Sequence, residues 1–299
     1  VVIAVVEPWP DPVDVSQVLE LVRERIERHV YLPPHSGAVV TGGLLLTHLL
    51  DALSTAPILW VYSPMKGCGK STLLDLLTLL AARPLKSENA SLSALFRIAE
   101  KHRATLILDE VDQWMHGDRS REVAGLLNAG FSVGGRFLRS VGDDHEPKAF
   151  DVFGFRAVAG IGATLHDTTR SRSYRVPMER APAGALPVPL QPTHAGAWAD
   201  PLRQHLARAA MQLRDGMLPS RLLTSRTPIS AEDWPTVPMP YCWSISIFQI
   251  SWAVLMRSSV FCPAAERKRS KILRMFASSG FLPWVPPEAE FVLGDVRNK

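Results

Sequence analysis

Ser63-Pro64-Met65-Lys66-Gly67-Cys68-Gly69-Lys70-Ser71-Thr72 is the stretch on which the reading of this chain turns. Before it lies Ile58-Leu-Trp-Val-Tyr62, a short apolar run of strand length, and after it an apolar series predicts a helix over 71–80. A strand, a glycine-rich turn and a helix in that order make a cradle for phosphate. Glycines let successive backbone N–H groups converge on phosphate oxygens with no side chain in the way. The following helix points the positive end of its dipole at the same place. Lys70 is placed to reach the β- and γ-phosphates, and the Ser71 hydroxyl to ligate Mg2+. The ten residues Ser63, Pro64, Met65, Lys66, Gly67, Cys68, Gly69, Lys70, Ser71 and Thr72 are thus candidate contacts to a nucleotide. The spacing matches GxxxxGK[ST] except at its first position, where Pro64 stiffens the turn and removes one N–H donor.

A bare GK[ST] arises by chance in roughly one chain in ten of this length. The argument therefore needs a second element, and Thr105-Leu-Ile-Leu-Asp109-Glu110 supplies it. Four strand-type residues followed by two acids describe a Walker B element, with Asp109 holding Mg2+ through water and Glu110 polarising the attacking water. By itself a terminal Asp-Glu is a solvated strand end. Downstream of the loop, in the same strand–helix alternation, it implies a P-loop NTPase that takes ATP and Mg2+. Glu110 narrows the class: kinases and small GTPases on this fold usually lack a glutamate there, whereas motor, clamp-loader and helicase-type ATPases have it.

Outward from the loop, the chain reads as four regions. Residues 1–55 form a helical segment: Val15, Val18, Leu19, Val22, Ile26 and Val30 recur at helical spacing, Pro33-Pro34 stop that helix, and a second spans about 37–53. Residues 56–180 form the core, with strands at 58–62, 105–108 and 157–161 and a covering helix at 91–102. Short apolar strands between helices predict an α/β fold of three αβα layers around a parallel sheet. Residues 181–200 are rich in Pro and Ala and read as a linker; 201–299 form a C-terminal region, helical at about 201–214 and poorly patterned beyond Met217.

Composition sets the outer limits. Of 299 residues 46% are hydrophobic and 21% charged, which excludes a wholly disordered chain. Cys68, Cys242 and Cys262 are too scattered for a disulfide framework or a zinc site, which fits a reducing cytoplasm. Val1–Val6 lacks the basic start of a secretory signal, and the most apolar run, 38–53, is short for a membrane span and carries His48 and Asp51. No membrane is expected as a partner. The net charge of +4 permits a polyanionic partner without demanding one. Because the chain opens without Met, it reads as a piece of something longer.

The chain resembles a P-loop family, a domain of unknown function found behind primase-polymerase or toprim modules in proteins of bacterial phages, plasmids and integrated elements. The resemblance runs from about Pro8 to Arg180. It rests on Glu7-Pro-Trp-Pro, Thr47-His48, the loop with Pro64, Ser93-Ala-Leu-Phe-Arg97, Leu106-Ile-Leu-Asp-Glu-Val-Asp112 and Leu126-Leu-Asn-Ala-Gly130. Gly134-Gly135, Val141-Gly-Asp143, Ala157-Val-Ala-Gly-Ile-Gly162 and the Leu165, Asp167-Thr168, Arg172-Ser173 stretch continue it. The resemblance implies an AAA+-like ATPase core with a helicase-type role in replication of a mobile element. It further implies a homo-oligomer, such as a hexamer, and a primase-type module in cis or in trans. Arg172 would then be the finger that reaches a neighbouring subunit's γ-phosphate, with Arg170 or Arg175 as substitutes. Two departures stand out: His166 replaces the family's usual Pro, and Ser171 its usual Asp.

Single-stranded or forked DNA is the polymer such an ATPase would act on. An insertion at about 113–155 offers Arg136, Arg139 and Lys148 as backbone contacts, interleaved with Phe131 and Phe137. Asp143, Asp144 and Glu146 follow at once, and an alternating Arg/Phe strand also reads as core on one face and solvent on the other. His48 on its apolar helix reads as a hydrogen-bonded core histidine, Cys68 as a space-saving loop residue, and His145 as a side chain without the spread of ligands a metal needs. The expected activity is an oligomeric ATPase working on DNA. The alternative from another class is a nucleotide-dependent switch or scaffold that recruits replication proteins without translocation.

Overall fold

The computed structural model describes residues 3, 5–88, 90–114, 117–141, 145–162, 165–185 and 187–217. All described residues belong to one compact unit. The expectations placed on 142–144 and on 218–299, Cys242 and Cys262 included, lie outside them.

Two helices open the chain, α1 (Val15–His29) and α2 (Ser36–His48), followed by a 3-10 turn (Leu50–Ala52). Then come β1 (Ile58–Ser63), α3 (Lys70–Leu80), β2 (Pro84–Ser87), α4 (Leu92–His102), β3 (Thr105–Leu108), α5 (Val111–Trp114) and α6 (Gly117–Ala129). A hairpin of β4 (Arg136–Val141) and β5 (Glu146–Asp151) precedes β6 (Arg156–Ile161), α7 (Asp167–Arg170), β7 (Ser173–Pro177) and α8 (Pro192–Met217). Five strands form one parallel sheet in the order β2-β3-β6-β1-β7, and the antiparallel β4-β5 pair stands apart.

The three strands expected from apolar runs are the three central ones. Both faces of a central parallel strand are covered, so its residues are apolar without alternation. The edge strands carry no such signal: β2 is half-buried throughout, and β7 mixes Arg175 and Pro177 with buried Val176.

Period-two geometry sends alternate residues of β1 to opposite layers. Ile58 and Trp60 join the cluster formed with Leu95, Phe96 and Ala99 of α4, Val123, Leu126 and Leu127 of α6, and Phe137 and Phe150 of the hairpin. Leu59 points the other way, and with Phe155 it lies close to Gly43 of α2. On that second face α1, α2, α3 and α8 pack on one another, with Val18, Val22 and Ile26 as the buried stripe of α1. Asp14 caps α1 by accepting from the Ser16 and Gln17 N–H groups at 3.0 and 3.2 Å.

Where a linker is expected, the structure is partly helical. α8 starts at Pro192 rather than near residue 201, and it contains Pro201. Its buried stripe explains why: Ala195, Ala199, Leu206, Ala209, Ala210 and Leu213 recur at helical spacing, but four alanines and a glycine-proline setting conceal the period. The segment before α1 is also tied down. Trp9 donates its N–H to Gln204 O at 3.1 Å and stacks on His205 with centroids 4.3 Å apart. No helix among the described residues is long and apolar enough to cross a membrane.

Candidate functional site

Residues 63–72 leave the C-terminal end of β1 and become the first turn of α3. In an open α/β sheet this edge is where ligands bind. Gly67 and Gly69 adopt φ of 77° and 81°, conformations that other residues enter at a cost, so the loop closes only because glycine stands at both. Gly69 is the N-cap of α3 and no side chain caps that terminus, which leaves its first N–H groups to whatever anion approaches. Ser63 is fully buried and its Oγ donates to Met65 O at 2.6 Å. Lys70 folds back over the loop: Nζ donates to Ser63 Oγ at 2.5 Å and to Met65 O at 3.4 Å. The Cys68 thiol is buried and donates to Met65 O at 3.5 Å, which agrees with a packing role.

Asp109 sits at the C-terminal end of β3, one strand removed from β1 because β6 lies between them. Its carboxylate is buried, and Oδ2 accepts from Ser71 Oγ at 3.2 Å across a sequence separation of 38 residues. Oδ1 accepts the Glu110 N–H at 2.9 Å. Glu110 is exposed and holds φ of 53°, a left-handed conformation in a residue with a side chain. Strain of that kind, about 1 kcal/mol, collects where a side chain must be aimed. Asp112 ties this turn to the tip of β6, where Oδ1 accepts the Ile161 N–H at 3.2 Å. A Cβ at Gly160 would stand 2.9 Å from the same oxygen, so glycine there admits the approach.

A hydroxyl and a carboxylate 3.2 Å apart are hard oxygen groups of the kind Mg2+ takes. No group of three or more His, Cys, Asp or Glu side chains that could hold a metal converges among the described residues. The open glycine conformations, the uncapped start of α3 and Lys70 fit a polyphosphate. Ser63–Thr72, Asp109 and Glu110 therefore come together at one edge of the sheet.

Arg172 does not join them. It precedes β7, and the Ile58 N–H donates to its carbonyl at 3.0 Å, which puts it at the opposite end of β1 from the loop. Five steps along the strand separate Ile58 from Ser63, roughly 17 Å at 3.3 Å each. Its guanidinium donates to Thr168 O at 2.6 Å and lies 5.7 Å from the centre of the Phe131 ring. Arg170 pairs with Asp167 on α7, and Arg175 is exposed on β7.

The three nucleic-acid candidates also separate. Arg139 and Lys148 are cross-strand partners in the hairpin, on the face that carries Phe137 and Phe150. Arg139 pairs with Glu122 at 3.0 Å and Lys148 with Glu100 at 3.2 Å, each lying 4.6 Å from the ring centre of its neighbouring phenylalanine. Arg136 projects from the other face, opposite Asp151. Phe137 is buried against Phe96, so it offers no ring to a base.

Two arginines escaped the sequence reading. Arg180 leaves the C-terminal end of β7 and brings Nη2 to 3.5 Å from Lys66 O, inside the loop. Only the adjacency of β7 and β1 reveals it. Arg156 opens β6 and is fully buried with no carboxylate partner among the described residues. Burial lowers its pKa to about 10. Nη1 donates to Gly154 O at 2.6 Å, Nη2 donates to Val152 O, and Nε has no hydrogen-bond partner. The signal in the sequence was a cation heading an apolar strand.

Neither a protein-family model nor a curated protein matches this chain. The observed architecture is an α/β fold with a five-strand parallel sheet and N-terminal helices. What the site does has to be argued from its own geometry.

Proposed function

We propose that this chain is an AAA+-like P-loop domain that binds and hydrolyses ATP with Mg2+, in the replication machinery of a mobile element, and works on DNA in the manner of a helicase. The observation that carries the reading is the Ser71 Oγ to Asp109 Oδ2 contact of 3.2 Å. It joins the start of the helix behind the glycine turn to the strand end bearing two acids, the juxtaposition a nucleotide-bound Mg2+ needs. Supporting it are the uncapped N-terminus of α3 and the strained, exposed Glu110 beside Asp109.

In this mechanism the loop N–H groups hold the phosphates, and Lys70 exchanges Ser63 Oγ and Met65 O for phosphate oxygens. Ser71 and Asp109 would hold Mg2+, which would supply charge neutralisation on the transferring group. Glu110 orients the attacking water and accepts its proton at the carboxylate. Asp112 keeps the Glu110 turn against β6. The test is steady-state ATP hydrolysis by the purified chain with and without single-stranded DNA, using Lys70→Ala as the blank. A rate above the blank that DNA stimulates supports the full reading. No rate above the blank, together with no binding of ATP, sinks it.

A second reading, the nucleotide-dependent switch or scaffold, is favoured by the hairpin. Two of its three basic candidates already hold glutamates from α4 and α6. The switch reading expects a slow rate that DNA leaves unchanged.

A further inference from the structure

Arg180 has no part in the mechanism above, yet the fold delivers it to the loop. β7 runs parallel to β1 and pairs with it, so the chain leaving β7 emerges beside the chain leaving β1. The ladder continues past the strand, with Met178 N–H donating to Tyr62 O at 2.8 Å. Two residues later the guanidinium lies over the glycine turn. Besides the 3.5 Å approach of Nη2 to Lys66 O, a Cβ built on Gly67 would stand 3.7 Å from Nη2 and 3.8 Å from Nε. Met178 also closes on the loop, 3.8 Å from a Cβ built on Gly69.

We infer that Arg180 is a phosphate-contacting residue of the nucleotide site, acting on a nucleoside polyphosphate held by its own chain; this rests on the nucleotide-binding reading. A guanidinium carries five donors in a planar fork. One contact at the long limit of hydrogen bonding, to one neutral carbonyl, uses little of that capacity. Phosphate oxygens gathered by the neighbouring N–H groups would offer the fork two charged acceptors at once, the stronger kind of bond. The residue is exposed and the glycine beneath it has no side chain, so nothing stands between the two. The Lys66 carbonyl is thus a weak partner that a phosphate oxygen would replace.

The experiment is equilibrium binding of ADP and of ATP with Mg2+ to the full chain and to Arg180→Ala, Arg180→Gln and Arg180→Lys. Glutamine keeps a neutral donor for the Lys66 carbonyl and removes the charge, which separates the two roles. The Ala and Gln variants are expected to bind about tenfold more weakly, and the Lys variant to regain part of the loss. Equal losses for ADP and ATP place the contact on the first two phosphates; a loss confined to ATP places it on the third. Binding by Arg180→Gln within about twofold of the parent overturns the inference, since a loop-bracing donor then suffices. Thermal midpoints without nucleotide are read alongside, and if the Ala variant melts early the Gln and Lys pair decides. A parent that binds no better than Lys70→Ala sinks the nucleotide-binding reading and this inference together. A parent that binds while Arg180→Gln matches it sinks this inference alone.

Discussion

At the scale of single residues, Glu110 is where backbone and chemistry pull in different directions. Its φ of 53° is comfortable only for glycine, yet glycine has no carboxylate. Replacing it therefore separates the two demands. Glu110→Gly is expected to keep or raise the thermal midpoint, because the strain it removes offsets the added flexibility of the unfolded chain. Glu110→Val should lose about 1 kcal/mol or more, a β-branched residue being the worst tenant of this conformation. Under the hydrolase reading both abolish turnover, and Glu110→Gln does so while ATP binding persists. Thermal melts and single-turnover hydrolysis on the three variants check this. A glycine variant that melts several degrees early would show that the carboxylate's contacts, and not the backbone, govern stability there.

At the scale of elements, α2 and α3 meet through a histidine. His48 ends α2, and its Nε2 donates to Leu80 O, the last residue of α3, at 2.9 Å, which fixes the neutral tautomer. Burial lowers its pKa to about 4, against about 6.5 in an unfolded chain. The unfolded chain thus takes up a proton between those values while the folded chain does not. The contribution is complete above about pH 6.5 and is lost as pH falls toward 4. His48→Gln, which keeps a donor for Leu80, should flatten that part of the pH–stability curve, and an unchanged curve contradicts the account. The hairpin makes a different prediction. If it touches DNA, Arg136→Ala with Arg139→Ala should weaken single-strand binding and reduce its salt slope by about one charge per lost contact. Unchanged binding and slope would take both arginines out of DNA binding and leave Arg139 to its ion pair with Glu122.

Legibility follows the same division. The central strands were readable because burial on both faces leaves a short apolar run, and the turn after β1 because its two left-handed positions call for glycine. His48 agrees with the expected hydrogen-bonded histidine, because an imidazole packed on an apolar helix needs a polar partner there. β2 and β7 were not readable, since edge strands owe half their environment to solvent. α8 hid behind Pro192 and Pro201, its buried face being largely alanine. Arg180 lay beyond reach because its neighbour in space, Lys66, is set by strand order alone.

For the molecule as a whole, Arg172 stands at the far end of the sheet from residues 63–72, and no rotamer bridges roughly 17 Å. If it takes part in hydrolysis it must do so in a second copy. Turnover per chain is then expected to rise with protein concentration. An inactive Arg172→Ala chain mixed with an inactive Lys70→Ala chain should recover activity, each supplying what the other lacks. Strictly proportional rates, with Arg172→Ala as fast as the parent, remove it from the reaction. A further relation runs through the interior. The buried Arg156 guanidinium lies where a side chain at Gly130 would go, 1.8 Å from a Cβ built there. A library randomised at position 130 alone should return glycine and nothing else, while one that also frees position 156 should return alanine or serine beside a smaller neutral partner. The two sites, apart in the chain, would be inherited as a pair.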